Sequence, residues 1–311
     1  MRRNGMKKYV LVFSGQGSER VGMFRDIIKE STRLEQVLDF FNEQLGVDLE
    51  EAITTKDAQI VAKNNQLLLC IYHHLMSELV VDKIGYNPAF TMGHSFGQFS
   101  ALASSGAVSF RDIARFVNKR IEIINDPKIE VKASFKSIHG LTLEAFEEFR
   151  QVEELEEDVE LALHNQREQV VCGVTPNGME KLEELTDKYK YMLKDIHVSR
   201  PYHTRFMEKY NEKLIPFIED IQFFEAKVPV VPNHLKEGVK DGEKLKAETK
   251  IQMIKPVYWY ESVLNVSKEV DAFVIIDPSE TQFKILRRIT NKKIHNVNNL
   301  GMVKMMEKKG V

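Results

Sequence analysis

Ser95 stands between two glycines in the run Gly93-His94-Ser95-Phe96-Gly97, where a strand-like segment gives way to a helix-like one. A sharp turn of this kind lifts a serine hydroxyl clear of a sheet, and the glycines relieve crowding of the backbone. The serine then lies at a helix N-terminus, whose free N–H groups favour negative charge. The pattern predicts a nucleophilic serine, with the backbone N–H of Phe96 as a donor to an oxyanion.

A serine nucleophile needs a general base, and the nine histidines supply the candidates. His94 is adjacent to the serine, but its side chain should point elsewhere. His73 and His74 are neighbours on a predicted helix and diverge by about 100°. His203 lies in "SRPYHTRFM", where a strand is expected to give way to a helix. The local pattern leaves the choice open. Without an HExxH or CxxC pattern, no metal site is predicted.

Arg120 lies 120 − 95 = 25 residues after the serine, in the next predicted helix. Taken alone, an arginine on a helix is most simply a solvent-exposed cation. A buried guanidinium, in contrast, would bind a carboxylate bidentately. The sequence around Arg120 does not by itself decide between these two interpretations.

The segments that carry these residues show the sequence pattern of an α/β fold, in which short apolar strands alternate with helices. Short apolar runs predict buried strands at "YVLVF" (9–13), "PAFTMG" (88–93), "KVPVVPN" (227–233) and "DAFVIIDPS" (271–279). Helices are predicted over much of 24–85, ending at Gly85, over 96–108, over 109–125 with Ser109 as N-cap, and over 205–218 and 280–290. A polar loop at 234–250 leads into a further helix.

The predicted pattern of strands and helices changes between about Asp126 and Ser199. Strands are predicted at 131–141, 168–175 and 191–199, and helices at 142–158 and 176–190. This β-α-β-α-β pattern predicts a small α+β subdomain inserted into the larger domain. The expected division is 1–127 and 199–311 for the large domain and 128–198 for the subdomain.

Composition excludes several classes of protein. The 311 residues carry 44 basic and 46 acidic side chains, so the net charge is −2 and no basic field is available for nucleic acid or an anionic membrane. No apolar run approaches the roughly 20 residues of a membrane span, and the apolar run near the N-terminus is too short for a signal peptide. Cys70 and Cys172 lie in apolar runs and predict two buried free thiols. A cytoplasmic protein is expected.

Three segments together indicate a family. They are "VFSGQGSE" (12–19), "GHSFGQFSALASSGAVSF" (93–110) and "RPYHTRFM" (200–207), and they occur in that order at compatible spacing. The chain resembles the malonyl-CoA:acyl carrier protein transacylase family, which includes the acyltransferase domains of polyketide synthases. The likeness continues through "VPVVPN" (228–233) and "QMIKPVYWYESV" (252–263) and covers essentially the whole chain. It implies an α/β-hydrolase-like large domain with an inserted ferredoxin-like subdomain.

The resemblance implies the chemistry of the reacting groups. Ser95 would take the acyl group from coenzyme A, and His203 would act as its general base and later as the acid for the leaving thiol. Gln16 would be the second oxyanion donor beside the N–H of Phe96. Arg120 would pair with the free carboxylate of a malonyl group.

The resemblance also implies roles for residues around these groups. Gln252 falls near the histidine, where a backbone carbonyl orients the imidazole in such sites. His94 and Tyr202 are expected beside the substrate together with Gln252. Asn233 and Asn165 fall on family asparagines and are expected to support the site.

The implied reaction moves a malonyl or substituted malonyl group from acyl-CoA, through an acyl-serine, to the phosphopantetheine thiol of an acyl carrier protein. No tightly bound cofactor is expected, and the protein is expected to be a monomer. Lysines of 236–250, or Arg205 and Lys209, are candidates to meet the acidic carrier protein; a solvated loop is an equally good interpretation.

Three departures from the family pattern affect the expected substrate. The residues before His203 are Arg200, Pro201 and Tyr202, where the family usually has small or aromatic side chains. Residues 276–280, "IDPSE", replace a glycine-rich turn, and Phe96 replaces the usual leucine. These departures predict a specialised, stand-alone polyketide-type enzyme rather than the housekeeping one.

Two other functions remain open at this point. An acyl hydrolase of the same fold would clear acyl groups from carrier proteins, but it gains nothing from a buried cation at position 120. A catalytically silent docking protein would bind carrier proteins without needing Ser95, His203, Gln16 and Arg120 together.

Overall fold

The computed structural model describes residues 8–30, 32–85, 87–196, 198 and 200–309. Within these residues the chain forms two β-sheets, one parallel and one antiparallel, each with its own helices. The parallel sheet is built from residues on both sides of the antiparallel one in the sequence. This arrangement agrees with the predicted insertion, and the residue boundaries of the two domains stay a prediction.

The parallel sheet has five strands. They are β1 Tyr9–Phe13, β2 Phe90–Gly93, β7 Val230–Val231, β8 Ala272–Ile276 and β9 Lys293–Val297, in the spatial order β7-β2-β1-β8-β9. Every neighbouring pair is parallel, so the carboxyl ends of β1, β2 and β8 meet at one edge. β1 and β8 are buried along their whole length, because helices cover both faces of the sheet.

Twelve α-helices and one 3₁₀ turn accompany this sheet in the described part of the chain. They are α1 Ile27–Glu30, α2 Thr32–Leu45, α3 Glu50–Thr54, α4 Ala58–Lys63, α5 Asn65–Ile84, α6 Gly97–Ser104, α7 Phe110–Ile124, the 3₁₀ turn Arg205–Met207, α11 Glu208–Asp220, α12 Gly242–Ile251, α13 Trp259–Ser267, α14 Thr281–Leu286 and α15 Leu300–Lys309. Gly85 ends α5 in the left-handed conformation, and Ser109 caps α7 by accepting from the N–H of Asp112, both as predicted. The sequence interpretation missed α15 and β9, and it predicted a polar loop over residues 234–250, where α12 occupies Gly242–Ile251.

The antiparallel sheet has four strands and three helices. They are β3 Ser134–His139, α8 Leu143–Val152, β4 Val159–Gln166, β5 Gln169–Val174, α9 Pro176–Glu184, α10 Thr186–Tyr189 and β6 Met192–Asp195. The spatial order is β4-β5-β3-β6, and every pair is antiparallel. With α9 and α10 taken as one interrupted helix, the β-α-β-β-α-β order is that of a ferredoxin-like domain. The predicted strand at 191–199 extends to positions 197 and 199, which lie outside the described residues.

The predicted β-α-β-α-β order was wrong because it lacked β4. This strand starts directly after an acidic run, and residues 161–165 are buried in succession instead of alternating with exposed ones. One face of β4 lies in the small-domain core and the other in the large-domain core, to which Leu161 and Leu163 belong respectively. The outer edge of β4 pairs with the large domain, where the N–H of His164 donates to the Val257 carbonyl at 2.9 Å. A strand that is buried on both faces has no period-two pattern to reveal it.

Each domain has its own apolar core. One buried cluster surrounds the parallel sheet, and a smaller one lies between β3–β6 and α8–α9. Cys70 lies in the first cluster and Cys172 in the second, and both are free and buried. Burial raises the pKa of each thiol to about 12, so neither is a reactive thiolate near neutral pH. In the described chain, no helix combines the length and the apolar character needed to cross a bilayer.

Candidate active site

Ser95 lies on the tight turn between β2 and α6, at the carboxyl edge of the parallel sheet. Its φ of 50° places it in the left-handed region, which costs a non-glycine residue conformational energy. Glycines flank it because the backbone is crowded: a Cβ on Gly97 would lie 2.4 Å from the Phe13 carbonyl oxygen, and one on Gly93 would lie 2.0 Å from the Gly97 carbonyl carbon. The turn therefore has the backbone geometry that the sequence predicted for a nucleophile.

His203 meets this serine across 108 residues of sequence. Its Nε2 lies 2.6 Å from Ser95 Oγ, and its Nδ1 lies 2.7 Å from the Gln252 carbonyl oxygen. The carbonyl can only accept, so Nδ1 carries the proton and Nε2 is free to take the proton of the serine. His203 is 2 % exposed, has φ 67°, and donates its backbone N–H to the Met253 carbonyl at 2.7 Å. Among the histidine candidates it is the one hydrogen-bonded to the serine hydroxyl.

Gln252 holds both partners. Its backbone carbonyl accepts from the His203 imidazole, and its side-chain amide donates to the Ser95 carbonyl at 3.1 Å. No carboxylate orients the histidine in the described part of the chain; a neutral carbonyl does so. The imidazolium formed during reaction is thus stabilised by a dipole and not by a full charge.

Two backbone N–H groups are candidates to bind an oxyanion. Gln16 follows β1 and Phe96 follows the serine, and within the described residues neither N–H donates to a protein acceptor. The Gln16 side chain accepts from the Gln66 amide at 3.4 Å. Both N–H groups are therefore without a protein acceptor in the described residues, and their role as oxyanion donors stays a prediction.

Arg120 is buried, with only 3 % of its surface exposed. Its guanidinium donates to the Gln66 side-chain amide oxygen and lies 4.8 Å from the centre of the Tyr202 ring and 5.9 Å from that of Phe99. Burial lowers the pKa of Arg120, and the contact with the Tyr202 hydroxyl opposes that shift. Its Nε has no hydrogen-bond partner, and no carboxylate pairs with the group within the described residues. The interpretation of Arg120 as a solvent-exposed cation is therefore wrong.

A cavity of about 160 Å³ opens beside the serine, between the two domains. Its lining consists of Gln16, His94, Ser95, Phe135, Leu163, Asn165, Val171, Ile196, Val198, Tyr202 and His203. Two of the predicted substrate-binding residues, His94 and Tyr202, are thus in the wall. Gln252 and Arg120 are not among the described lining residues: Gln252 acts on the serine and histidine, and Arg120 packs against Tyr202.

His94, Asn165 and Asn233 hold the serine turn from outside. His94 Nε2 lies 2.8 Å from Asn165 Oδ1, which directs the imidazole away from the serine hydroxyl and toward the small domain. Asn233 donates its side-chain amide to the Gly93 carbonyl at 2.6 Å and its backbone N–H to the Gln98 side chain at 2.7 Å. The two asparagines thus contact the serine turn through His94, Gly93 and Gln98, and their supporting role stays a prediction.

The described residues contain no group of three or more His, Cys, Asp or Glu side chains that could hold a metal ion. The polar groups of the site are a hydroxyl, an imidazole, backbone N–H groups and a guanidinium. Such a set carries out acyl transfer through an ester on the serine.

Comparison with known families supports this chemistry. The family model described as "Acyl transferase domain" matches residues 10–308, which is nearly the whole chain. The chain belongs to the acyl transferase domain family. Among curated members, the malonyl CoA-acyl carrier protein transacylase of Bacillus subtilis is 28% identical over 292 residues, or 92% of each chain. The enzyme of the same name from Staphylococcus aureus is 26% identical over 306 residues, covering 96% of this chain and 98% of the relative.

Solved acyl transferase structures share the fold. The malonyl CoA-acyl carrier protein transacylase of Coxiella burnetii superposes with a TM-score of 0.88 at 21% identity, over 98% of both chains. The malonyl-transacylase of a type II polyketide synthase, solved with its acyl-carrier protein, gives 0.88 at 24% identity over 97% of this chain and 99% of that one. At these identities the likeness establishes the fold, which is the predicted large α/β domain with an inserted ferredoxin-like domain.

Gln66 is a residue of this acyl transferase site that the sequence interpretation missed. It lies in the first turn of α5, is 5 % exposed, and connects the Arg120 guanidinium to the Gln16 side chain. A polar residue at the head of the apolar run "QLLLCIY" was the available signal. Its partners lie 50 and 54 residues away, so no local pattern could have identified its role.

Three buried histidines make the folded state sensitive to acid. Desolvation lowers the pKa of His73 and His203 to about 3 and that of His94 to about 4, from an ordinary value of 6.5. Between about pH 4 and 6.5 the unfolded chain therefore binds protons that the native state does not. Each histidine should lower the free energy of unfolding by at most about 1.4 kcal/mol per pH unit as the pH falls through that window.

The rate of serine acylation should accordingly be flat from pH 6.5 to 8, since His203 stays neutral throughout. Below pH 6.5 its decline should coincide with loss of the circular dichroism signal. Stopped-flow release of the thiol leaving group and circular dichroism on the same samples provide the measurement. An acid limb that fits one proton with a pKa near 6.5, while the circular dichroism stays unchanged, would contradict the assignment of His203 as a buried neutral base.

Proposed function

We propose that this protein transfers a malonyl or substituted malonyl group from coenzyme A to the phosphopantetheine thiol of an acyl carrier protein. The observation that carries the proposal is a buried arginine without a carboxylate partner in the described residues, packed on Tyr202. Tyr202 lines the same cavity as Ser95, which is hydrogen-bonded to His203. An uncompensated buried cation is costly, so a site that keeps one is suited to an anionic ligand. A malonyl group carries a free carboxylate; an acetyl group does not.

The names of the relatives support both proposed substrates, malonyl-CoA and an acyl carrier protein. The Bacillus subtilis and Staphylococcus aureus relatives are malonyl CoA-acyl carrier protein transacylases, and the polyketide relative was solved with its acyl-carrier protein. Acyl-CoA enters this reaction as a substrate, and the chemistry requires no resident cofactor. Because coenzyme A thioesters and carrier proteins are its substrates, we assign the protein to the cytoplasm.

The first half-reaction forms the acyl-enzyme. His203 Nε2 takes the proton of Ser95 as its oxygen attacks the thioester carbonyl, and the N–H groups of Gln16 and Phe96 stabilise the resulting oxyanion. When the carbon–sulfur bond breaks, the imidazolium returns the proton to the coenzyme A sulfur. The products are free coenzyme A and a malonyl ester on Ser95.

The second half-reaction repeats these steps in reverse with a new thiol. His203 takes the proton of the phosphopantetheine thiol, the sulfur attacks the ester carbonyl, and the serine oxygen leaves with the proton from the imidazolium. Apolar side chains form much of the cavity wall, including Phe135, Leu163 and Val171. They limit the access of water, which would otherwise hydrolyse the ester.

The carrier protein needs cations that are free to meet it. Arg205 is a poor candidate, because it contacts Glu160 at 3.3 Å and the carbonyls of Glu156 and Glu157 at 2.9 and 2.7 Å. Lys246 and Lys250 both contact Glu219. Lys209 and the other lysines of 236–250 remain candidates for the docking surface.

Intact-mass spectrometry tests the proposal. The protein is incubated with malonyl-, methylmalonyl- and acetyl-CoA, and a carrier protein bearing its phosphopantetheine arm is then added. We expect an adduct on Ser95 with malonyl-CoA or its methyl derivative that persists until the carrier protein removes it. Loss of the adduct to water at the same rate without carrier protein would instead identify an acyl hydrolase, and absence of any adduct would favour a docking protein.

The predicted specialised role is a separate question. If it holds, a strain lacking only this protein should grow without added fatty acids, because another enzyme supplies that pathway. Growth that depends on fatty acids would assign the protein to housekeeping synthesis.

A further inference from the structure

A second cluster of polar side chains lies beneath the serine turn and takes no part in the proposed proton transfers. Its members are Ser14, Ser18, His73 and Ser100, each 5 % exposed or less. Two of them flank Gln16 in the loop that follows β1, which we call the Gln16 loop (residues 14–18). Ser100 lies on α6, the helix that begins just after the nucleophile, and His73 lies in the middle of α5.

The four side chains form one continuous chain of hydrogen bonds. Ser100 Oγ lies 2.9 Å from His73 Nδ1, and His73 Nε2 lies 3.1 Å from Ser14 Oγ. Ser14 Oγ lies 2.7 Å from Ser18 Oγ, which donates to the Gly15 carbonyl at 2.7 Å. His73 thus connects the nucleophile helix to the Gln16 loop through two contacts on opposite sides of its ring.

Only one arrangement of protons satisfies every bond. Ser18 donates to a carbonyl, so it must accept from Ser14, and Ser14 must then accept from His73 Nε2–H. A neutral imidazole with its proton on Nε2 has an acceptor at Nδ1, which takes the hydroxyl proton of Ser100. Burial keeps the ring neutral, because desolvation lowers its pKa to about 3. The hydrogen bonds therefore all donate in the same direction, from Ser100 on α6 to the Gln16 loop.

The two connected segments are those that carry the predicted oxyanion donors. Phe96 lies at the start of α6, and Gln16 lies in the middle of the loop. The segments also touch directly, since a Cβ on Gly97 would lie 2.7 Å from the Ser14 carbonyl oxygen. A contact this close restricts the distance between the backbone N–H groups of Gln16 and Phe96.

We propose that His73 is a positioning residue for the oxyanion hole: its ring fixes the Gln16 loop relative to the nucleophile helix through Ser14 and Ser100. This assignment rests on the proposed function, because an oxyanion hole matters only if Ser95 is acylated. His73 itself does not touch the substrate, and its effect reaches the reacting carbonyl through the N–H of Gln16.

The test compares His73→Leu with His74→Leu. Leucine is similar in size to histidine and removes both hydrogen bonds, whereas His74 points to the other side of α5, where it stacks on Phe110 with ring centres 3.7 Å apart. Removing an oxyanion donor outright costs about 10²- to 10³-fold in kcat. For loss of its support in His73→Leu we expect about a tenfold lower kcat per titrated active site, with KM for the acyl-CoA unchanged. His74→Leu should keep the kcat of the unaltered protein.

An infrared measurement separates positioning from stability. The ester carbonyl of acyl-Ser95, labelled with ¹³C, absorbs at lower wavenumber when the oxyanion donors bind it more strongly. In His73→Leu the band should move to higher wavenumber, and in His74→Leu it should not. A lower melting temperature with an unmoved band and an unchanged kcat would show that His73 only stabilises the fold, and would overturn the assignment.

A second variant decides the matter if His73→Leu does not fold. Ser14→Ala removes one hydroxyl, leaves the ring in place, and should produce the same upward band shift at a smaller loss of stability. An unmoved band in a folded Ser14→Ala variant would refute the linkage. If the unaltered protein forms no acyl-serine with any acyl-CoA, the proposed function fails first, and the role of His73 fails with it.

Discussion

Replacing Ser95 by alanine should abolish the acyl-enzyme and lower the rate of acyl transfer by at least about 10⁴-fold. The hydroxyl lies 2.6 Å from His203 Nε2, the group that takes its proton in the proposed mechanism. Without it, no covalent intermediate connects the two half-reactions, and direct attack by the second thiol would need both large substrates in the cleft together. The measurement is the burst of coenzyme A on mixing with malonyl-CoA, combined with intact mass.

Two further variants make this result specific. Ser104→Ala, at the other end of α6, should keep the burst and the adduct, which controls for loss of a serine from this helix. His203→Ala should still form the adduct, but slowly. Because the serine and histidine act as a unit, the double variant should be no slower than Ser95→Ala alone. Additive losses would mean that the two residues act independently, and would contradict the proposed mechanism.

The sequence predicted the parts of this site that are encoded locally. A serine boxed by glycines between a strand and a helix has few structural alternatives, and the observed crowding at Gly93 and Gly97 explains why each must lack a side chain. The α/β architecture followed in the same way from short apolar runs. The histidine that partners the serine could not be identified in this way, because His203 is 108 residues away and its local pattern did not distinguish it from the other candidate histidines. The family resemblance, not periodicity, selected it.

What the sequence could not reveal depends on contacts between distant segments. β4 lacks alternation because the large-domain core covers one of its faces, and only the assembled structure shows that Leu163 belongs to that core. Gln66 and His73 lie in an apolar helix whose pattern predicts only a core position, and each has hydrogen-bond partners on two other segments. Buried polar side chains of this kind are few, and their hydrogen bonds are invisible until the elements are assembled.

Arg120→Ala should reverse the preference between malonyl and acetyl groups. Loss of one member of a buried, hydrogen-bonded charge pair costs about 2 to 5 kcal/mol, so kcat/KM for malonyl-CoA should fall by about 30- to 5,000-fold. Acetyl-CoA has no carboxylate to pair with the arginine, so its kcat/KM should fall much less. It could even rise, because the variant no longer has a buried cation that an acetyl group leaves unpaired. Steady-state rates with both thioesters, at equal concentrations of titrated active sites, give the comparison.

Matched variants on the same helix test whether the effect depends on the guanidinium. Arg115→Ala removes an exposed arginine whose partner is Asp112, and should change neither substrate. Arg120→Lys keeps a positive charge but loses the planar fork, so it should recover only part of the malonyl rate. Because the guanidinium already contacts Gln66 and packs on the Tyr202 ring, a malonyl carboxylate has to share or displace the contact with the Tyr202 hydroxyl. Equal losses for malonyl- and acetyl-CoA in Arg120→Ala would mean that the arginine supports the fold of the site and does not select its substrate.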